Sequence, residues 1–377
     1  MSILTAKKEE MLHHLHKRPS SVVSTMKFPQ RLPALSCKAV ENTGLLPRRK
    51  LRIILYFLLQ KFFSYDITTV LHSTLNTEMF NGIFFFWGKA TEVRLYHNSC
   101  YNINEKNKGA TAMYDYHTHS SFSDDCSISM EEMVRKAKAM GVRMYAVTDH
   151  YDPDYPTDEQ FAFNLDFENY HKEQDRVQEL YSTSKFKMLK GIEIGLQAGD
   201  KTIIKCREAV KYPYDFVIGS FHCIDYKDIW KPFHENMTPE KATGIYYEYM
   251  LETISRFSDF DVLGHINALD RYIPYIPDFA PYREIVSEIL RLLINRDKGL
   301  EINTSSFRYN MGNLTMPSDE ILKMYRELGG TVITFGSDSH FPEHICYRYD
   351  WAVEYLKSFG FNTLTVFENR TPEFVNI

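Results

Sequence analysis

From Met113 onward, short apolar runs alternate regularly with amphipathic stretches. The apolar runs cover 113–119 (MYDYHTH), 144–150 (MYAVTDH), 186–195, 215–222, 261–266, 299–305 and 331–340, and each predicts a strand. Between them, Ser129-Met-Glu-Glu has the form of a capping box and opens an amphipathic run that ends at Gly141. Further helical patterns span about 167–181, 239–257, 281–297, 318–328 and 349–357. Seven strands separated by helices predict a parallel α/β fold, a distorted (β/α)7 TIM-like barrel. Before Met113 no such alternation persists, and Leu- and Phe-rich fragments such as Ile83 to Trp87 have no clear period.

The chain therefore reads as a poorly determined extension, residues 1–112, followed by a barrel over 113–377. Lys108-Gly109-Ala110 can be encoded by a purine-rich, ribosome-binding sequence just upstream of the Met113 codon. The expectation is that 1–112 is translated upstream sequence or a dispensable extension, with a genuine small domain as the alternative, and deleting it tests this.

Composition narrows the class. Of 377 residues, 44% are hydrophobic and 25% charged, which suits a globular core and excludes disordered, collagen-like and disulfide-stapled chains. The net charge of −5 is an average of two unlike parts. Residues 1–112 carry 16 Lys and Arg against 7 Asp and Glu, while 113–377 carry 28 against 42. The six cysteines are scattered without a C-x-x-C pair, as expected of reduced thiols in a cytoplasmic protein. The most apolar run, Ile53 to Leu59, is flanked by Arg52 and Lys61 and is far short of the about 20 residues a membrane span needs. Basic residues in the first part are dispersed apart from Arg48-Arg49-Lys50, so neither a nucleic-acid nor a membrane partner is expected.

The chemistry lies in the acidic part. His117 and His119 alternate at the end of the first predicted strand, where i and i+2 side chains share a face and can converge on one cation. Asp125 follows in the next loop. His150, Glu193, His222 and His265 end the next four strands, and Asp338 and His340 end the last with the same i, i+2 spacing. All parallel strands of a barrel point to one rim, so these nine side chains converge there as metal ligands. With no thiolate among them, zinc, manganese or iron is expected. Nine ligands exceed the needs of one or two ions, which points to three divalent ions sharing bridging carboxylates.

This constellation resembles the polymerase and histidinol phosphatase (PHP) family of metal-dependent phosphoesterases, through H-x-H, T-D-H, G-x-E, two strand-end histidines and D-x-H in that order. The stretch Asn303 to Arg308, NTSSFR, is similar to the N-T-S-x-x-R element of the histidinol-phosphatase branch. The resemblance covers 113–377. It implies that His117, His119, Glu193 and Asp338 hold one ion, that Glu193 bridges to a second held by His222 and His265, and that Asp125, His150 and His340 hold a third. The family often has His where this chain has Asp125. The implied reaction is hydrolysis of L-histidinol phosphate in histidine biosynthesis, with a small phosphate ester as the partner.

Clustered cations would neutralise the phosphoryl oxygens and acidify water. Arg308 and Arg271 are the candidates for gripping the remaining phosphoryl oxygens, since guanidinium can do so bidentately. Glu193, Asp338, Arg308 and Arg271 make up the predicted catalytic set. Asp149 is a candidate for orienting His150, with helix capping or a surface role as the alternative. His234 is a candidate general acid or an exposed loop histidine. Asp152, Asp154, Asp225 and Asp270 are loop carboxylates that could attract a cationic alcohol. Competing readings are another small phosphate ester or nucleotide as substrate, a metal-dependent amidohydrolase, a Ser337/Asp338/His340 triad, and a catalytically silent binding barrel.

Overall fold

The computed structural model describes residues 112–156, 161–231, 233–309, 311 and 314–377. Apart from Ala112, the expected extension lies outside the described residues. The first part of the barrel runs β1 (Met113–Asp115), α1 (Met130–Met140), β2 (Val142–Val147), the two-residue β3 (His150–Tyr151), α2 (Phe167–Tyr181), β4 (Lys187–Gly195), α3 (Asp200–Ala209) and β5 (Phe216–Ser220). A small hairpin, β6 (Cys223–Ile224) and β7 (Lys227–Asp228), leads to α4 (Pro239–Arg256) and β8 (Val262–Leu263). The chain continues through α5 (Arg283–Ile294), β9 (Gly299–Asn303), α6 (Asp319–Glu327), β10 (Ile333–Gly336) and α7 (Tyr349–Ser358). It closes with the hairpin β11 (Thr363–Glu368) and β12 (Thr371–Asn376).

Seven strands pair in parallel in the order β1-β2-β4-β5-β8-β9-β10, and β3 adds a short ladder to β4. Backbone bonds from Tyr116 N to Phe335 O (2.9 Å), Asp338 N to His117 O (2.8 Å) and His119 N to Ser339 O (2.9 Å) draw the two edges together. The result is the nearly closed barrel expected. β5, β9 and β10 are buried along their whole length because helices cover one side and the barrel interior the other.

The helices form where the pattern places them. In α1 the Ser129 hydroxyl accepts from Glu132 N, and Gly141 ends the helix at φ +81°, a left-handed conformation that costs glycine nothing. Met130, Met133, Val134 and Ala137 lie on its buried face. Each larger side chain there contributes roughly 1.5–3 kcal/mol on burial.

Three elements escape the pattern. α3 buries only Thr202, Ile203, Cys206 and Ala209, a weak apolar stripe, and has no side-chain cap at Gly199. The β6–β7 ladder is only two residues long on each side. The last hairpin turns through Asn369 and Arg370, both at positive φ, where a hairpin turn more commonly has glycine.

That last hairpin covers the N-terminal end of the barrel. Asp215, just before β5, accepts from Asn369 N (3.0 Å) and, through its carbonyl, from Arg370 N (2.9 Å). Arg370 Nε reaches Asp261, just before β8, at 2.5 Å. Just after β1, the Tyr116 hydroxyl donates to Phe367 O (3.0 Å) and accepts from Phe367 N (2.8 Å). The opposite rim is left for the functional side chains. No helix among the described residues is long and apolar enough to cross a membrane.

Candidate metal centre

The nine predicted ligands gather at the C-terminal rim. His117 and His119 follow β1, His150 opens β3, Glu193 lies within β4, His222 follows β5, His265 follows β8, and Asp338 and His340 follow β10. Glu193 is central and fully buried. Its Oε2 lies 3.1 Å from His117 Nε2, 3.0 Å from His150 Nδ1 and 3.6 Å from His119 Nε2. Its Oε1 lies 3.0 Å from His265 Nε2 and 3.3 Å from His222 Nε2, and accepts from the Ser220 hydroxyl at 2.6 Å. Asp338 Oδ1 approaches His119 Nε2 at 3.4 Å, and Asp125 Oδ2 approaches His340 Nε2 at 3.1 Å and His150 Nε2 at 3.7 Å.

Four groups could each converge on one ion: His117/His119/Asp338, His117/Glu193/His265, His119/His150/His340 and His150/Asp152/His222. Within each, the ligand atoms lie within 4.8 Å of one another. Asp125 joins no such triplet but stands beside His340 and His150. Asp152, expected as a loop carboxylate, belongs to the cluster.

Outer carboxylates orient the imidazoles. Glu301 Oε1 lies 2.6 Å from His117 Nδ1 and Asp152 Oδ1 lies 2.7 Å from His222 Nδ1. A carboxylate can only accept, so each Nδ1 carries the proton and each Nε2 turns a lone pair toward the centre. Glycines make room for both acids: a Cβ at Gly336 would collide with the Glu301 carboxylate, and one at Gly195 with that of Asp152. Asp149 is fully buried, which removes the surface reading. It accepts from Ser120 N and from the Ser120 and Ser123 hydroxyls, and Ser123 in turn meets His119 Nδ1 (3.2 Å) and His150 N (3.0 Å). It therefore orients the ligand loop indirectly.

Asp338 has φ +54°, unusual for a non-glycine residue. Arg308 Nη2 holds this turn by donating to Ser337 O (2.8 Å) and Asp338 O (2.7 Å). Arg271 Nη2 donates to Ser305 Oγ (2.6 Å) and Asp338 Oδ2 (3.2 Å). The triad reading fails because Ser337 Oγ is committed to Asp115 at 2.6 Å, within the core. His234 Nε2 meets Trp230 O at 3.0 Å and joins no ligand group. Asp154 is paired with Lys205 and Thr202, Asp225 sits on the exposed β6–β7 turn, and Asp270 accepts from Asn267.

The donor set fits divalent cations. His117 Nε2, His119 Nε2, His150 Nδ1 and Glu193 Oε2 are buried and make no hydrogen bond, a costly arrangement unless a cation shares them. Burial pushes the Glu193 carboxyl upward, but His117, His150 and His222, whenever their rings are protonated, hold it well below the usual range. Asp338 behaves likewise, with burial overcome by His117, His119 and Arg271. Burial, with the neighbouring His340 and His150, lowers His119 to about 3, so it is neutral and able to coordinate.

The sequence model for the PHP domain matches residues 115–305. The chain belongs to the PHP family. A histidinol-phosphatase of Lactococcus lactis is 32% identical over 258 residues, which cover 67% of this chain and 93% of that protein. A probable histidinol-phosphatase of Clostridium acetobutylicum is 31% identical, over 62% of this chain and 88% of its own length. The solved structure of histidinol phosphate phosphatase from Lactococcus lactis, complexed with zinc, L-histidinol and phosphate, superposes with a TM-score of 0.63 at 31% identity. That superposition covers 69% of this chain and 98% of the other. The PHP match ends before Arg308, Asp338 and His340, and those three residues are placed at the rim by the geometry alone. The family, with the zinc-bearing neighbour and the ligand cluster, establishes this as a divalent-metal site.

Proposed function

We propose that the chain is a phosphoric monoester hydrolase that converts L-histidinol phosphate to L-histidinol and phosphate in histidine biosynthesis. The observation that carries this reading is the convergence of Glu193, Asp338 and six imidazoles on one rim, with four of their ligand atoms buried and without a hydrogen bond. The Lactococcus relative's name, and the L-histidinol and phosphate in that protein's structure, support the substrate.

In this reading the site would hold three ions, of zinc, manganese or iron. His117, His119, Glu193 and Asp338 would hold the first, Glu193 with His222 and His265 the second, and Asp125, His150 and His340 the third. The separations from Glu193 to both His117 and His265 support its bridging role. When bound, the ions supply positive charge beside the phosphoryl oxygens and acidify water. The chain's own residues do the rest. Glu301 and Asp152 fix the tautomers of His117 and His222. Arg271 Nε and Arg308 Nη1, both buried and without a partner, remain to grip phosphoryl oxygens while their Nη2 atoms hold the Asp338 turn. Cys126, Cys206 and Cys346 are buried thiols, which supports a cytoplasmic location.

Turnover of a panel of phosphate monoesters with added Zn²⁺ or Mn²⁺ tests the substrate, and histidinol phosphate is expected to be preferred. Negligible activity on it, with good turnover of another ester or a nucleotide, would move the chain to another branch of the family. Fewer than about two ions per chain in metal-replete protein would favour a silent barrel over a clustered-metal hydrolase. Residues 1–112 are dispensable in this reading, and a 113–377 chain that fails to fold or turn over would overturn that.

A further inference from the structure

Outside the metal centre, a cavity of about 250 Å³ opens between the loop after β8, the start of α6 and the side of α4. No Lys, Arg, His or predicted metal ligand is among its described lining residues. Asp270, Asp278 and Glu320 contribute carboxylates, and Tyr247 and Tyr282 contribute rings whose centroids are 6.2 Å apart. Two further side chains reach it from buried positions: Asn267 is 2% exposed and Thr243 5%. Asn267 commits its Nδ2 to Asp270 Oδ2 (2.9 Å) and Thr315 O (3.1 Å), but its Oδ1 and the Thr243 hydroxyl are buried with no partner. A buried polar atom without a partner is costly, and a ligand bearing hydrogen-bond donors removes the cost.

We propose that this cavity is a second, non-catalytic binding site for a small organic ammonium ion carrying a flat ring. The chemistry is one-sided. The charged groups are carboxylates, Asn267 Oδ1 can only accept, and the tyrosine faces favour a cation and a planar group. A phosphate or carboxylate ligand would find no positive charge here. The cavity is smaller than the roughly 300–1,000 Å³ of sites for drug-sized ligands, which restricts it to a molecule of about one ring and a short amine arm. Burial raises the Asp270 carboxyl to about 6, as an acid lacking a cationic partner should be. The site also shares a wall with the centre. Asp270 and Arg271 are neighbours on the single turn Ala268–Arg271, one lining the cavity and the other bonded to Asp338.

The inference does not depend on the phosphatase reading, because its test measures binding without turnover. The probe is 2-phenylethylamine, which carries an ammonium and a ring but does not chelate metals. It is titrated calorimetrically into the metal-loaded full chain with saturating inorganic phosphate present. One equivalent should bind, 2-phenylethanol should bind at least about tenfold more weakly, and Asp270→Asn and Glu320→Gln should each lower the affinity for the amine several-fold or more. Glu320 is exposed, so its variant keeps the fold even if replacing Asp270 disturbs the turn. Absence of saturable binding to the unsubstituted chain would overturn the proposal, as would equal affinity of that chain and the Glu320→Gln variant.

Discussion

Glu301 grips Nδ1 of His117 at 2.6 Å, with both side chains sealed from solvent, and thereby sets which nitrogen of that ring faces Glu193. Removing the acid frees the ring to flip its tautomer and tilt. Glu301→Ala should therefore cost about 10- to 100-fold in metal affinity or turnover, and Glu301→Gln less, because its carbonyl oxygen still accepts from Nδ1. Gly336→Ala should act in the same direction by displacing the Glu301 carboxylate. Metal titration of the three variants checks this, and unchanged affinity in Glu301→Ala would show that the pair is only structural.

Glu193→Gln should lower turnover by about 100-fold or more while leaving the fold intact, since an amide bridges two cations poorly. Turnover measured beside a thermal melt separates the two effects. Near-normal activity would mean that the bridge lies elsewhere.

Arg308→Ala should raise KM for the phosphate ester by about tenfold or more, with a smaller loss of bound metal. Arg308→Lys should rescue it only in part, because its one nitrogen can replace the Nη2 bonds to the Ser337 and Asp338 carbonyls but leaves no second nitrogen at the Nη1 position for the phosphoryl group. Lost metal with unchanged KM would assign Arg308 to holding the Asp338 turn alone.

Away from the rim, His171 stacks on Tyr212 with ring centroids 3.9 Å apart, and burial together with the Lys190 charge lowers it to about 4. The unfolded chain protonates this histidine near 6.5, so it takes up protons before the folded chain does. Stability from this group is full above pH 6.5 and is lost as pH falls toward 4. After allowing for its partial exposure the loss is on the order of 1–2 kcal/mol. His171→Phe keeps the stack and removes the proton site. Its stability should fall less than that of the parent chain between pH 6.5 and 4, as read by denaturant unfolding, and parallel curves would refute the assignment.

Much of the barrel could be read locally because each of its seven strands is an apolar run bounded by turn residues. The site was legible for the same reason: H-T-H and S-D-S-H sit at strand ends, and one rim collects them. What stayed hidden depends on contacts distant in sequence. Glu301 is a mid-strand acid in GLEIN, and nothing around it announces that β10 will bring Gly336 against it. Asp152 has the sequence context of an ordinary loop acid until the link after β5 places His222 beside it. His150 read as the end of β2, whereas it starts its own ladder directly opposite Glu193 on β4. The helix α3 and the final hairpin escaped because a thin apolar stripe and an Asn-Arg turn give little local signal.

The bond pair between Tyr116 and Phe367 joins positions 251 residues apart in the chain. The segment just after β1 that carries His117 and His119 is thus held by a hairpin far away in sequence, and it also pairs with residues 335–339. On the ribosome, β2 to β9 can assemble in order while the opening strand waits for its partners. Ion capture by the full ligand set would then wait for these distant contacts, so a loaded centre reports a closed barrel.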